Sequence, residues 1–60
     1  MTLYASHRFS VGQRVSFLGK SPRSYMVTGQ LAGRDGPEYE ITSSDGRLRQ
    51  VVAERELTYR

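Results

Sequence analysis

The amino-acid sequence predicts a small all-β barrel, and three observations indicate this class. Four short segments rich in apolar and β-branched residues occupy residues 13–18, 24–31, 38–42 and 48–52. Turns that contain glycine or proline separate these segments, as they separate the strands of small all-β domains. Apolar and polar residues alternate within them, which is the pattern of strands with one buried face.

The first two segments form two predicted strands. In residues 13–18, Val15 and Phe17 share one face. In residues 24–31 alternation places Tyr25, Val27, Gly29 and Leu31 on one face. Gly29 predicts a bend or bulge where a small barrel must curve.

The next two segments form a predicted hairpin. Tyr39 and Ile41 point inward from residues 38–42, and the pair Asp45-Gly46 follows. This pair predicts a type I′ turn in which both central residues have positive φ.

The strand that returns from this turn lies beside residues 38–42. Arg47 or Arg49 can then pair with Glu40 across the two strands.

The chain closes with a predicted 3₁₀ turn at residues 53–56 and a short fifth strand at residues 57–59. We expect a flexible N-terminal arm over residues 1–8 and the barrel over residues 9–60, with Phe9 as a lid under it. The predicted core consists of Val11, Val15, Phe17, Val27, Leu31, Tyr39, Ile41, Val51 and Leu57.

The composition argues against catalysis and metal binding by this chain. Cysteine is absent and His7 is the only histidine, so the sequence predicts no metal site, no cofactor and no enzyme. Glu38 and Glu40 fit a charge-paired strand surface better than an acid–base pair. The chain has no signal-peptide pattern and no transmembrane segment. We therefore expect a soluble, cytoplasmic protein of bacterial type with no membrane partner.

The charge is uneven along the chain. The formal net charge is +3, yet residues 1–34 carry no acidic residue and all six carboxylates lie in residues 35–56. A basic face of this kind favours nucleic acid. The predicted contact residues are Arg14, Lys20, Arg23, Tyr25 and Arg34, with the tyrosine stacking on a base. The alternatives are that these cations keep a small domain soluble, or that they pair with carboxylates on neighbouring strands.

A second class of function is protein binding. An unpaired strand edge can accept a peptide strand or a second copy of the chain. This hypothesis predicts an exposed apolar patch near Leu18, Met26 or Leu48.

Two motifs carry a resemblance to a known group of proteins. Residues 9–15, Phe-Ser-Val-Gly-Gln-Arg-Val, and residues 51–57, Val-Val-Ala-Glu-Arg-Glu-Leu, resemble the opening and the close of small bacterial SH3-like barrels related in plan to KOW and Tudor-like domains. The resemblance implies a five-stranded SH3-like barrel and a binding role with no established ligand.

The chain is more distantly similar to the type II dihydrofolate reductases, which are SH3-like tetramers with a central substrate pore. Gln50 stands seven residues before Leu57, as the glutamine of their Val-Gln-Ile-Tyr motif does. Val51 and Val52 replace the isoleucine and the tyrosine of that motif, and the chain has no tryptophan. The sequence therefore favours a non-enzymatic interaction module, with a reductase as a remote alternative.

Overall fold

Five antiparallel strands form one sheet in the computed structural model, which describes residues 7–18 and 24–59. The strands are β1 (Arg14–Phe17), β2 (Ser24–Gly33), β3 (Gly36–Ser43), β4 (Arg49–Ala53) and β5 (Leu57–Tyr59). A 3₁₀ turn, Glu54–Glu56, joins β4 to β5. The predicted all-β class, the five strands and the 3₁₀ turn before the last strand are confirmed.

The strand order is β4-β3-β2-β1-β5. The first and last strands of this order are joined by the three residues of the 3₁₀ turn. Directly after β1, the N–H group of Leu18 donates a hydrogen bond to the carbonyl of Glu56 at 2.8 Å. The molecule extends 39 Å along one axis against 19 and 17 Å along the others.

A β-bulge interrupts β2. Val27 lies opposite Ile41, whereas Gly29 lies opposite Glu40, so that Thr28 is an extra residue on the β2 side. The bulge predicted near Gly29 is confirmed. A one-residue insertion reverses the alternation of faces along the rest of the strand.

This reversal makes the prediction of Leu31 as a core residue wrong. Before the bulge, Tyr25 and Val27 are 3% and 0% exposed. Beyond it, Gln30 takes the inner position opposite Tyr39, and Leu31 is 41% exposed on the outer face.

The predicted core also fails at Val51. Val52 lies opposite the buried Tyr39, and Val51 lies opposite Glu40. Val52 is therefore 5% exposed and Val51 is 55% exposed.

The third error is Val11, which is 60% exposed in the turn before β1. Gly12 in this turn has φ +94° and donates its N–H group to the carbonyl of Val27 at 2.8 Å. Phe9, 1% exposed, enters the core instead. The observed core is Phe9, Val15, Tyr25, Val27, Tyr39, Ile41, Val52 and Leu57, with Phe17 packed against it.

The turn between β3 and β4 is wider than predicted. The N–H group of Gly46 donates to the carbonyl of Ser43 at 2.8 Å, and Gly46 has φ +77° whereas Asp45 does not have positive φ. The type I′ turn is therefore wrong. The carboxylate of Asp45 accepts hydrogen bonds from the hydroxyl of Ser43 at 2.6 Å and from the N–H group of Arg47 at 3.0 Å. These bonds stabilise a loop in which only the glycine needs positive φ.

Residues 7–18 and 24–59 contain no helix of the length and apolarity that a bilayer crossing requires.

Candidate functional site

The structure separates the residues predicted to contact nucleic acid. Lys20 and Arg23 lie outside the described residues. Arg14 is exposed at the start of β1, opposite Met26, and Arg34 is exposed in the turn after β2. With about 3.3 Å of rise per residue, Arg14 and Arg34 are roughly 25 Å apart along β2.

Tyr25 belongs to the core of the sheet. Its side chain is 3% exposed, and its ring meets Phe17 edge-on with 6.0 Å between ring centroids. A ring buried in this way presents no face on which a base can stack.

Carboxylates interrupt the outer face, which we define as the face of the sheet opposite the core. Glu40 and Glu38 lie opposite Gly29 and Leu31, at positions of this face between Arg14 and Arg34. Arg14 and Arg34 are therefore not parts of one continuous basic face.

A shorter group of cations remains at one end of the sheet. Arg14 lies opposite Met26, Met26 opposite Thr42, and Thr42 opposite Arg49. We call these four residues the basic row. A shallow groove of about 200 Å³ runs beside its first three members and is also lined by Thr28 and Ser44.

The predicted pairing of Arg47 or Arg49 with Glu40 is wrong in register. Glu40 lies opposite Val51, and its Oε1 atom accepts a hydrogen bond from the Thr28 hydroxyl at 2.8 Å. Arg49 lies opposite Thr42 and is exposed.

The β4 strand has an unpaired side in the described parts of the chain, because it is the outermost strand at the β4 end of the sheet. Ser43 donates its N–H group to the carbonyl of Leu48 at 2.8 Å. In an antiparallel ladder, residues alternate between pointing their N–H and C=O groups at the partner strand and pointing them away. The groups of Gln50 and Val52 thus point at β3, and those of Arg49, Val51 and Ala53 point away from it.

Among the described residues, a side chain caps the end of this unpaired side. The Oε1 atom of Glu56 accepts the N–H group of Ala53 at 2.9 Å. The backbone groups of Arg49 and Val51 point outward, and the side chains of these two residues are exposed. We call the segment from Arg49 to Val51 the open edge.

Two of the apolar residues predicted to mark an exposed patch, Met26 and Leu48, lie on different faces of the sheet. Leu18, Met26 and Leu48 are 53%, 40% and 45% exposed. Met26 is on the outer face, whereas Leu48 is in phase with the inward Gln50. Val51 is the exposed apolar residue on the open edge, although the sequence pattern predicts it in the core.

The N-terminal segment is bound to the sheet by a group of residues that we call the clasp: His7, Arg8, Phe9, Tyr39 and Glu54. The Tyr39 hydroxyl accepts the N–H group of Phe9 at 3.1 Å and donates to Oε2 of Glu54 at 2.6 Å. The same Oε2 atom accepts the N–H group of Arg8 at 2.8 Å. His7 and Arg8 are the part of the predicted N-terminal arm that lies within the described residues.

Aromatic contacts complete the clasp. The rings of His7 and Phe9 meet Tyr39 edge-on, with centroids 5.0 and 5.5 Å away. The Nε2 atom of His7 lies 2.8 Å from the carbonyl of Leu31. Phe9 is buried under the sheet, where it was predicted to act as a lid.

Two pKa values shift in the clasp. Burial, together with the hydrogen bond to Glu54, raises the pKa of Tyr39 above its ordinary value. Burial opposes ionisation of Glu54 too, but hydrogen bonds from Tyr39 and Arg8 and the charges of Arg8 and His7 outweigh it and lower the pKa of Glu54. The pair therefore holds a neutral phenol and a carboxylate near neutral pH.

Near the clasp, a groove of about 220 Å³ is lined by Asp35, Glu38, Glu54 and Arg55, among other residues. In residues 7–18 and 24–59, no three His, Asp or Glu side chains are grouped to hold a metal ion. Gln50, which carries the similarity to the reductases, is half-buried opposite Ile41.

Comparison of the chain with protein-family models, with curated proteins and with solved structures finds no match.

Proposed function

We propose that the chain is a non-enzymatic protein-interaction module built on an SH3-like barrel, and that it binds an extended protein segment along the open edge. The observation that carries the proposal is the pair of outward N–H and C=O sets at Arg49 and Val51, beside the 55% exposed side chain of Val51. Unpaired edges of this kind bind peptides through main-chain hydrogen bonds, and side chains on alternate positions provide specificity.

The surrounding structure supports access from solvent. Val51 and Arg49 are both exposed, and the cap that Glu56 provides reaches only Ala53. Natural sheets commonly protect edges with charged residues, bulges or short strands. β4 carries one charged residue of this kind, Arg49. One such residue leaves the outward backbone groups of β4 accessible.

The SH3-like barrel is supported by the path of the chain between the two edges. β4 and β5 are the outermost strands of the sheet, yet only the 3₁₀ turn separates them in sequence. Glu54 in this turn binds the N-terminal segment through Arg8. The turn and the N-terminal segment would then close one end of a small barrel.

A proline substitution tests the proposed function. Val51→Pro removes an N–H group that β3 does not use, so the strand should survive it, because proline is tolerated at edge positions whose N–H group faces solvent. Val51→Ile is the matched control because it keeps the N–H group, the β-branched shape and the apolar side chain. We expect peptides selected on the wild-type protein from a random phage-displayed library to bind Val51→Ile and not Val51→Pro.

Folding of both variants is checked by thermal unfolding. If the selected peptides bind a folded Val51→Pro variant as well as they bind the wild type, the open edge is not the binding site.

Nucleic acid remains a second candidate partner, favoured by one observation. Arg14 and Arg49 share the basic row, in which no carboxylate lies. Phosphate contacts there should give amide shifts at Arg14 and Arg49 when single-stranded oligonucleotides are added, and the shifts should weaken as salt rises. Absence of shifts at low salt would exclude this partner.

A further inference from the structure

We propose that the open edge selects extended peptides with an apolar-x-acidic pattern, in which the acidic residue lies two positions after the apolar one. The apolar residue contacts Val51 and the acidic residue contacts Arg49. This inference rests on the proposed function and adds the chemistry of the ligand. It joins three features of the structure: the backbone groups of the open edge, the exposed valine and the exposed arginine.

The spacing follows from the alternation of faces. Val51 and Arg49 are two residues apart on β4, and both lie on the outer face, opposite Glu40 and Thr42 of β3. A strand added to the open edge presents every second side chain to this face. Two of its side chains, separated by one residue, therefore lie directly beside Val51 and Arg49.

The order follows from the strand direction. In an antiparallel pair, the residue beside Val51 precedes the residue beside Arg49 in the added strand. Arg49 and Val51 are the outward members of β4, which is the arrangement in which an antiparallel partner exchanges both backbone hydrogen bonds with each of them. Antiparallel pairs are also the more common kind in proteins. The apolar residue is thus first and the acidic residue second.

Charge supports an acidic residue at the second position. Arg49 is exposed, and Glu40, the carboxylate two residues from Thr42 on β3, lies opposite Val51 instead. Arg47, also exposed, lies in the loop beyond Arg49, where further acidic residues at the C-terminal end of the peptide would pass. Opposite charges on directly facing strand positions stabilise the pairing.

A second copy of the chain fits this edge less well. In an antiparallel pair of β4 strands joined by their outward residues, Arg49 of one copy faces Arg49, Val51 or Ala53 of the other. None of these residues carries a carboxylate. Charge complementarity therefore favours a separate acidic peptide over self-association.

The experiment uses synthetic blocked peptides of about ten residues, which are long enough to span a strand edge. The first carries Val-Thr-Glu among serine and threonine residues. The second reverses the order to Glu-Thr-Val, and the third carries Val-Thr-Lys. Binding to the isotope-labelled 60-residue chain is followed by amide shifts, at low salt and at near-physiological salt. We expect the Val-Thr-Glu peptide to bind about two- to fivefold more tightly than either control peptide, with the difference smaller at higher salt.

A charge swap tests the contact with Arg49. With Arg49→Glu, the preference should reverse, so that Val-Thr-Lys becomes the tighter ligand. Arg55→Glu is the matched control, because Arg55 is also exposed but lies in the 3₁₀ turn after β4. It should leave the preference unchanged. If Arg49→Glu does not alter the ranking of the three peptides, the acidic position is wrong.

The outcomes separate the two proposals. Equal binding of all three peptides, lost in Val51→Pro, would overturn the apolar-x-acidic pattern and keep the open edge. No binding of any peptide at millimolar concentration would count against both. Concentration-dependent shifts at Arg49 and Val51 in the protein alone, with dimers in sedimentation, would assign the edge to a second copy and overturn the inference.

Discussion

Strand β4 begins as an open edge but ends in a densely bonded corner. At its start, Arg49 and Val51 direct backbone groups away from the sheet beside exposed side chains. At its end, Glu56 caps Ala53, and Glu54 binds both Tyr39 and the N-terminal segment. Side chains from the turn that follows a strand can thus protect one end of a sheet edge. The part of β4 that Glu56 does not reach is where we propose that a further strand binds.

The largest expected effect comes from comparing one buried and one exposed residue of adjacent strands. Ile41→Ala should lower the free energy of unfolding by about 2–5 kcal/mol, because the side chain is fully buried. That loss is comparable to the total stability of about 3–9 kcal/mol expected for a chain of this length. Val51→Ala should change it by less than about 0.5 kcal/mol. Urea unfolding of the two variants checks the faces of β3 and β4, and similar losses would mean that Val51 is buried.

The clasp should be the next most sensitive region. Tyr39→Phe removes the hydroxyl that binds both Glu54 and the buried N–H group of Phe9. We expect a loss of about 1–3 kcal/mol in the free energy of unfolding, because a buried donor is left without a partner. Tyr59→Phe is the control, since its exposed hydroxyl makes only a 3.4 Å contact with the carbonyl of Arg8. Equal losses in the free energy of unfolding for the two substitutions would contradict the hydrogen bonds assigned to the Tyr39 hydroxyl in the clasp.

The clasp should also give the stability an acid dependence. Because the pKa of Glu54 is lowered by folding, its contribution is present above its unfolded pKa and is lost as pH falls through the lowered folded value. Stability measured from neutral to acidic pH should therefore fall less steeply in Glu54→Gln than in the wild type. Identical slopes would show that Glu54 is not bound in this way.

The dependence of stability on pH that Tyr39 contributes has the opposite sign. Its pKa is raised by folding, so its contribution is complete below its ordinary value and is lost as pH rises through the raised folded value. Stability at strongly alkaline pH should fall more steeply in the wild type than in Tyr39→Phe, and equal slopes would contradict the buried phenol.

The stability should change less when the cap at the end of β4 is removed than when the clasp loses the Tyr39 hydroxyl. Glu56→Ala removes the oxygen that accepts the N–H group of Ala53 and should cost about 0.5–1.5 kcal/mol. Glu56→Gln keeps an oxygen acceptor and should stay close to the wild type. Hydrogen exchange at the Ala53 amide should accelerate in the first variant and not in the second, and unchanged exchange in both would place the cap elsewhere.

Much of the fold follows from the sequence, and two errors were avoidable. The bulge at Gly29 was predicted, but its effect on the alternation was not applied to Leu31. Similarly, the predicted turn at Asp45-Gly46 sets Val52 opposite Tyr39, which is the observed register. That register already gives Val51 the outer face, so the open edge could have been found from the turn.

Other features depend on long-range packing. The clasp joins His7, Arg8 and Phe9 to residues 30 to 46 positions away in the chain, and no periodic pattern marks residues 7–9. The exposure of Val11 depends on the turn at Gly12, and the burial of Tyr25 removes the predicted stacking residue from the surface. Sequence charge alone could not show that Glu38 and Glu40 separate Arg14 from Arg34, because this depends on the strand register.

Amide hydrogen exchange along β4 distinguishes an open edge from a covered one. The N–H groups of Gln50 and Val52 point at β3 and should be protected, whereas those of Arg49 and Val51 should exchange rapidly because no strand within residues 7–18 and 24–59 pairs with that side of β4. Alternating protection in the isolated protein would show that the open edge is free of a partner strand and accessible to one. Equal protection of all four amides would show that the edge is already covered and would contradict the proposed binding site.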